Sequence, residues 1–155
     1  MREQNSLLEQ YLTPQTVRAK VKVRDWKEAI RVAGKLLLDI GAIEPRYIDA
    51  MIELCKKYSA YIVVAPGIAL AHARPEDGAK KIAFSLITLE EPVCFGHPEN
   101  DPVDIVIAFS AVDGSSHIRI LSHLAKFLSE SINIKKIRMA ATDEDLLHAI
   151  SSGKI

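Results

Sequence analysis

Cysteine is scarce. Cys55 and Cys94 are the only two, and they show neither CxxC nor zinc-finger spacing. Two isolated thiols imply a reduced, cytoplasmic chain and not a disulfide framework. Net charge is also missing. Twenty Lys and Arg balance twenty Asp and Glu, so no global basic field exists to hold nucleic acid. The longest apolar runs, such as Ile105–Phe109, fall far short of the roughly 20 residues that span a bilayer, so no membrane insertion is expected. The start, Met1-Arg2-Glu3-Gln4-Asn5, offers no apolar stretch for a secretory signal. Internal repeats, low-complexity tracts and linkers are absent. So are GxGxxG, a Walker lysine loop and a GxSxG elbow, which leaves a nucleotide kinase or a serine hydrolase without motif support.

What is present is an ordinary globular balance, 48% hydrophobic and 26% charged over 155 residues. That length suits one domain, residues 1–155, burying roughly two-thirds or more of its unfolded surface. Strand and helix periods alternate, which predicts an α/β layered domain. Val17, Ala19, Val21 and Val23 alternate with Arg18, Lys20 and Lys22, the pattern of a half-exposed strand. Asp25 can cap a helix with the stripe Trp26, Ala29, Ile30, Ala33, Leu37 and Ile40, and Gly41 is a natural stop. Pro45 suits the first turn of a second helix, with Ile48, Met51, Ile52 and Cys55 inward. Short strands are expected at 61–64 and, small and apolar, at 68–73. Ile82–Leu89 and Val103–Val112 are apolar on both faces, as central strands are. Glu90-Glu91-Pro92 is expected to end the first of these, before an extended piece at 93–95 and a polar loop at 96–102. Asp113-Gly114-Ser115-Ser116 turns into a helix with Ile118, Leu121, Ala125 and Leu128 inward. A short helix over 131–141 follows. A last one starts at Thr142-Asp143-Glu144-Asp145, faces Leu146, Leu147 and Ile150 inward, and ends at Gly153.

Chemistry centres on histidine. His72 sits among Ala69, Ala71 and Ala73, side chains small enough to let another surface approach. It reads either as an imidazole within a partner's reach or as a hydrogen-bonded core histidine. His117 follows a strand-to-helix turn where free N–H groups and the helix dipole favour anions, with the Ser115 and Ser116 hydroxyls as added donors. It reads either as part of a phosphoryl cradle or as a residue beside a plain N-cap. His123 lies six residues on, about 240° round a helix, so the two are no helical metal pair. His97 shares a loop with Glu99 and Asp101, where zinc or plain solvation would both fit. A zinc hydrolase built on His72, His117 and Asp113 is a further alternative. His148 falls on the outer face of the last helix. Arg74 could place a cation near His72 or pair with Glu76 or Asp77. Lys56-Lys57 and Lys80-Lys81 suit solvated faces better than binding patches.

The stretch Gly67-Ile68-Ala69-Leu70-Ala71-His72, leading into Ala73-Arg74-Pro75, resembles a known segment. It is that of the enzyme IIA domains of the sugar phosphotransferase system, fructose–mannitol type. Their pattern is glycine, apolar, alanine, apolar, proline, then the phosphorylated histidine. Here Ala71 stands where proline is usual, and Ala73 where glycine is common. Asp113-Gly114-Ser115-Ser116-His117-Ile118-Arg119-Ile120-Leu121 resembles the family's second-histidine segment. Glu44-Pro45-Arg46-Tyr47, Ala65-Pro66-Gly67 and Asn100-Asp101-Pro102-Val103-Asp104-Ile105 look like its ascorbate-type branch.

The resemblance implies a three-layer α/β/α sandwich around a mixed sheet. It implies phosphorylation of His72 at the tele nitrogen, His117 in support of the phosphoryl group, and Arg74, Ser115, Ser116 and Lys56 as binding groups. Lys56 falls near an arginine of mannitol-type members. The implied donor is the carrier protein HPr, the acceptor a cysteine of an enzyme IIB partner, and the indirect partner the membrane-embedded enzyme IIC. No metal, nucleotide or other cofactor is implied. The transported sugar would be ascorbate or a related sugar acid or polyol. The alternative is a regulatory relative whose phosphorylation state controls a kinase or transcription factor.

Overall fold

A computed structural model describes residue 8 and residues 10–58 and 62–151. The expected start of the second strand at Tyr61 and the stop at Gly153 lie outside these residues, as does the opening pentapeptide. The strands are β1 (Val17–Val21), β2 (Val63–Ala65), β3 (Ile68–Ala71), β4 (Ala83–Val93) and β5 (Val103–Ser110). The helices are α1 (Trp26–Asp39), α2 (Pro45–Lys57), α3 (Gly114–Leu128), α4 (Ser131–Met139) and α5 (Asp143–Ser151). The sheet order is β1-β4-β5-β3-β2. β1 runs parallel to β4 and β3 parallel to β5, while β4–β5 and β2–β3 are antiparallel. This is the expected mixed sheet.

Period-two alternation splits the core into two layers. On one face Ala69, Ala71, Ala83, Val106 and Ala108 join Ala29, Ile30, Ala33 and Leu37 of α1 and Tyr47 and Met51 of α2. On the other, Ile68, Leu70, Phe84, Ile105, Ile107 and Phe109 join Ile120, Leu124 and Phe127 of α3, Ile137 of α4 and Leu146 and Ile150 of α5. Each large apolar side chain buried this way contributes roughly 1.5–3 kcal/mol relative to exposure. The alanines around His72 therefore do not greet a partner protein, as their size suggested. Ala69, Ala71 and Ala73 are buried, sharing a core layer with α1 and α2.

The expected start and stop of α1 and the start of α2 are in place. The Asp25 carboxylate accepts the Glu28 N–H at 2.9 Å, Gly41 follows α1 with φ +73°, and Pro45 opens α2. Three elements differ from expectation. β4 runs through Glu90-Glu91-Pro92 to Val93, because its register with β5 shifts between Thr88 and Val93, and an irregular pairing tolerates proline. The inner face of α2 includes Tyr47, which is fully buried. The inner face of α3 is Ser116, Ile120, Leu124 and Phe127, while Ile118 and Ala125 are exposed and Leu121 and Leu128 only half-buried. The hydroxyl of Ser116 satisfies itself on the Asp113 carbonyl at 3.1 Å, so a polar residue can start the buried stripe.

The turn into β3 depends on Gly67. Its φ of +77° is unfavourable for side chains, its N–H donates to Asn100 O at 2.9 Å, and its carbonyl accepts from Asp104 and Ile105 at 3.0 Å each. A Cβ there would collide with the Arg138 guanidinium and come within 2.9 Å of Asp104 Oδ1. Those two side chains form a two-pronged ion pair, with Arg138 Nε and Nη2 each at 2.9 Å from a carboxylate oxygen. Gly67→Ala is expected to cost about 2 kcal/mol or more and to lower Tm by about 4–8 °C. Calorimetry giving an unchanged Tm would contradict this account of the turn.

Candidate functional site

β3 pairs with β5 up to Ala71–Ala108, and His72 is the first residue past the ladder. Its ring lies flat on Phe109, centroids 4.9 Å apart at 16°. His117, on the first turn of α3, meets it edge-on at 5.3 Å and 64°, and touches Phe109 at 5.4 Å. The two histidines that lie 45 positions apart in sequence thus share one aromatic floor, which comes from the last turn of a central strand.

The hydrogen bond of His72 decides its chemistry. Nδ1 lies 2.9 Å from Leu70 O. A carbonyl oxygen can only accept, so Nδ1 carries the proton and Nε2 keeps the lone pair. Burial holds the imidazole below its ordinary pKa; the Leu70 carbonyl opposes this and the His117 ring adds to it. The result is a half-buried, neutral imidazole with one nucleophilic nitrogen. A cleft of about 370 Å³ lined by Leu54, Tyr58, Ile62 and His72 opens beside it. Tyr58, Val112 and Ile118 are exposed apolar residues near these elements in the chain.

The other expected site residues divide. Ser115 stays exposed at the start of α3. Ser116 is buried, its N–H donating to Asp113 Oδ1 at 2.7 Å and its hydroxyl to Asp113 O. Asp113, held below the usual carboxylate range chiefly by that N–H, therefore occupies the helix start that was expected to receive an anion. Arg74 is turned to its own 3₁₀ turn, 3.4 Å from Asp77 and 3.9 Å from Glu76. Lys56 pairs with Glu53 at 3.4 Å and lies about 200° round α2 from Leu54, the residue that lines the His72 cleft. Both cations are engaged with carboxylates of their own elements.

The His97 loop is held together by its own main chain. His97 Nδ1 accepts the N–H groups of Glu99 and Asn100, and Asp101 accepts those of Phe95, Gly96 and His97. Among the described residues no three His, Cys, Asp or Glu side chains gather as a metal site. Cys55 is buried, its thiol pushed up to about 11 mainly by burial, and Cys94 is exposed. His148 is exposed, as its phase on the helix predicts. Two residues beside His72 were given no place in the site by the sequence reading. Phe109 becomes visible only through the β3–β5 register, and Tyr47 only through its buried hydroxyl.

Residues 10–153 match the family model described as phosphoenolpyruvate-dependent sugar phosphotransferase system, EIIA 2. The chain belongs to this family. As an EIIA it is a phosphotransferase. It is 35% identical over 136 residues to the ascorbate-specific PTS system EIIA component of Escherichia coli, covering 87% of this chain and 88% of that protein. It resembles the mannitol-specific cryptic phosphotransferase enzyme IIA CmtB from Escherichia coli with TM-score 0.84 and 33% identity, over 94% of this chain and 99% of that one. Enzyme IIAMTL of Escherichia coli, solved in complex with phosphorylated enzyme IIBMTL, superposes with TM-score 0.77 and 25% identity, over 88% and 94% of the two chains. These neighbours share the α/β architecture expected of this EIIA. No helix among the described residues is long and apolar enough to cross a membrane.

Proposed function

We propose that this EIIA accepts a phosphoryl group on Nε2 of His72 from phospho-HPr and passes it to a cysteine of an enzyme IIB. That cysteine would in turn serve a membrane-embedded enzyme IIC. The observation that carries the reading is the Nδ1 contact with Leu70 O, which leaves Nε2 as the lone-pair nitrogen of a neutral ring. In the first step the Nε2 lone pair forms the N–P bond as the donor's P–N bond breaks, its electron pair returning to the donor imidazole. The ring of His72 gains positive character, and the Leu70 carbonyl on Nδ1–H stabilises it. In the second step a thiolate takes the phosphorus, and the N–P pair returns to Nε2. Charge on the three equatorial oxygens is the main demand of each transition state, which gives His117 its task. Arg74, Ser115, Ser116 and Lys56 stay outside this minimal site.

The sugar proposed is ascorbate, or a related sugar acid or polyol. The 35% identity to an ascorbate-specific component supports it. Docking of both partners is assigned to the rim of the His72 cleft, where the exposed Tyr58 lies. Incubation with phosphoenolpyruvate, HPr and the HPr-phosphorylating enzyme is expected to add one phosphoryl group, acid-labile and base-stable as a P–N bond is. An acid-stable adduct would overturn the reading. Adding an ascorbate-type IIB should discharge the label faster than a mannitol-type IIB does. Label that no IIB discharges would favour a regulatory role over transport.

A further inference from the structure

Beyond Ala71 the ladder no longer holds the chain, yet the catalytic geometry needs His72 and Ala73 fixed. One side chain takes over. The hydroxyl of Tyr47, from the first turn of α2, accepts the Ala73 N–H at 3.0 Å and faces two carbonyls, Phe109 O at 2.9 Å and Ala73 O at 3.2 Å. Its single proton serves those two acceptors. The side chain is fully buried, and burial pushes its pKa up to about 12, so the proton stays in place wherever the protein is folded. The residue after the phosphoacceptor is thereby joined to the main chain of the residue on which the phosphoacceptor's ring stacks.

We propose that Tyr47 is a positioning residue for phosphoryl transfer. Its hydroxyl pins Ala73 to Phe109, and so keeps the His72 ring flat on Phe109 with Nδ1 on Leu70 O and Nε2 as the reacting nitrogen. The chain leaves His72 in both directions under restraint, through the β3 ladder before it and the Tyr47 hydroxyl after it. Among the described residues His117 is the titratable side chain in ring contact with His72, and it comes from α3, an element the clamp does not touch. A loosened clamp therefore changes the burial and tautomer of His72 without removing His117. The role in transfer rests on His72 being the phosphoacceptor; the hold on the ring does not.

The test uses the full chain carrying Tyr47→Phe, which keeps the ring and removes only the hydroxyl. NMR of the unphosphorylated protein reads the His72 tautomer and titration. The parent is expected to show the Nδ1–H form and a pKa below about 6.5. Tyr47→Phe should mix the tautomers and move the pKa up toward that value. Its phosphoryl acceptance should fall about tenfold in kcat with the KM for phospho-HPr within about twofold, since misalignment costs rate and the docking rim is intact. Phe109→Leu leaves the Tyr47 bond to Phe109 O in place and removes only the ring, so it sets what loss of the stacking floor alone does to the same signals. If Tyr47→Phe does not fold, hydrogen exchange of the Ala73 amide in the parent carries the test; it is expected to be as slow as that of the β3 ladder amides, because the Tyr47 hydroxyl accepts it. Ile30→Val, in the core under α1 and outside the clamp, sets the effect of lost stability alone and should move neither signal. Unchanged tautomer, pKa and kcat in Tyr47→Phe, equal changes in Ile30→Val, or an Ala73 amide that exchanges freely in the parent would overturn the proposal. A parent that takes no label on His72 but shows the NMR shifts on mutation would remove the phosphoacceptor reading and leave the clamp standing.

Discussion

His72→Ala is expected to take up no phosphoryl group, a loss on the order of 10³-fold or more, because the lone-pair nitrogen that forms the N–P bond is gone. HPr in the same reaction should remain phosphorylated, which places the loss at the acceptor. The fold should survive, since His72 is half-buried and lies past the end of β3. His72→Asn is the sharper control. Its amide can donate to Leu70 O as Nδ1 does, but it has no ring nitrogen, so it should be folded and equally inert. Label that persists in either variant would move the site elsewhere. Acceptance by the parent should hold as pH falls from 8 to about 6.5 and drop only below that, because the buried ring keeps its lone pair to lower pH than a free histidine. Stability has the same sign. The folded pKa lies below the unfolded one, so the unfolded chain binds the proton first, and stability is lost as pH falls below about 6.5.

Those signs come from tertiary structure, and they show where the sequence could and could not be read. The Asp25 cap, the Gly41 stop and the Pro45 start are local signals, set by backbone chemistry within a few residues, and all three stand where expected. The two central strands were legible because both of their faces are buried. The α3 face was misread by one residue. Ser116 and His117 look polar, so the apolar stripe was begun at Ile118, whereas the helix buries Ser116 and continues at Ile120 and Leu124. For the candidate site, His72 and His117 were singled out from their segments, and the structure brings their rings together. Their shared floor was not legible, since it depends on which strand lies beside β3. Lys56 is a residue whose phase on its helix the charge alone did not show. Its charge and rough alignment suited an anion site, but its phase on α2 turns it to Glu53.

His117→Ala separates accepting a phosphoryl group from handing it on. The His117 ring touches His72 but makes no hydrogen bond to it, so the Nε2 lone pair stays in place without it. The variant is therefore expected to become phosphorylated on His72. Onward transfer is different. The phosphoryl group must leave Nε2 through a loose transition state whose charge sits on oxygens just above the ring pair, where an imidazole N–H would be the donor nearest to hand. Removing one such donor costs on the order of 10²-fold in rate, so discharge to enzyme IIB should slow by about that factor while the phosphorylated form accumulates. His117→Gln, which restores an N–H at comparable reach, should recover part of the rate. A secondary signal checks that the ring contact itself was lost: the coulombic influence of His117 lowers the His72 pKa, so His117→Ala should raise it. A variant that shows this rise but discharges at the parental rate would leave His117 as a neighbour that tunes the phosphoacceptor and takes no part in transfer.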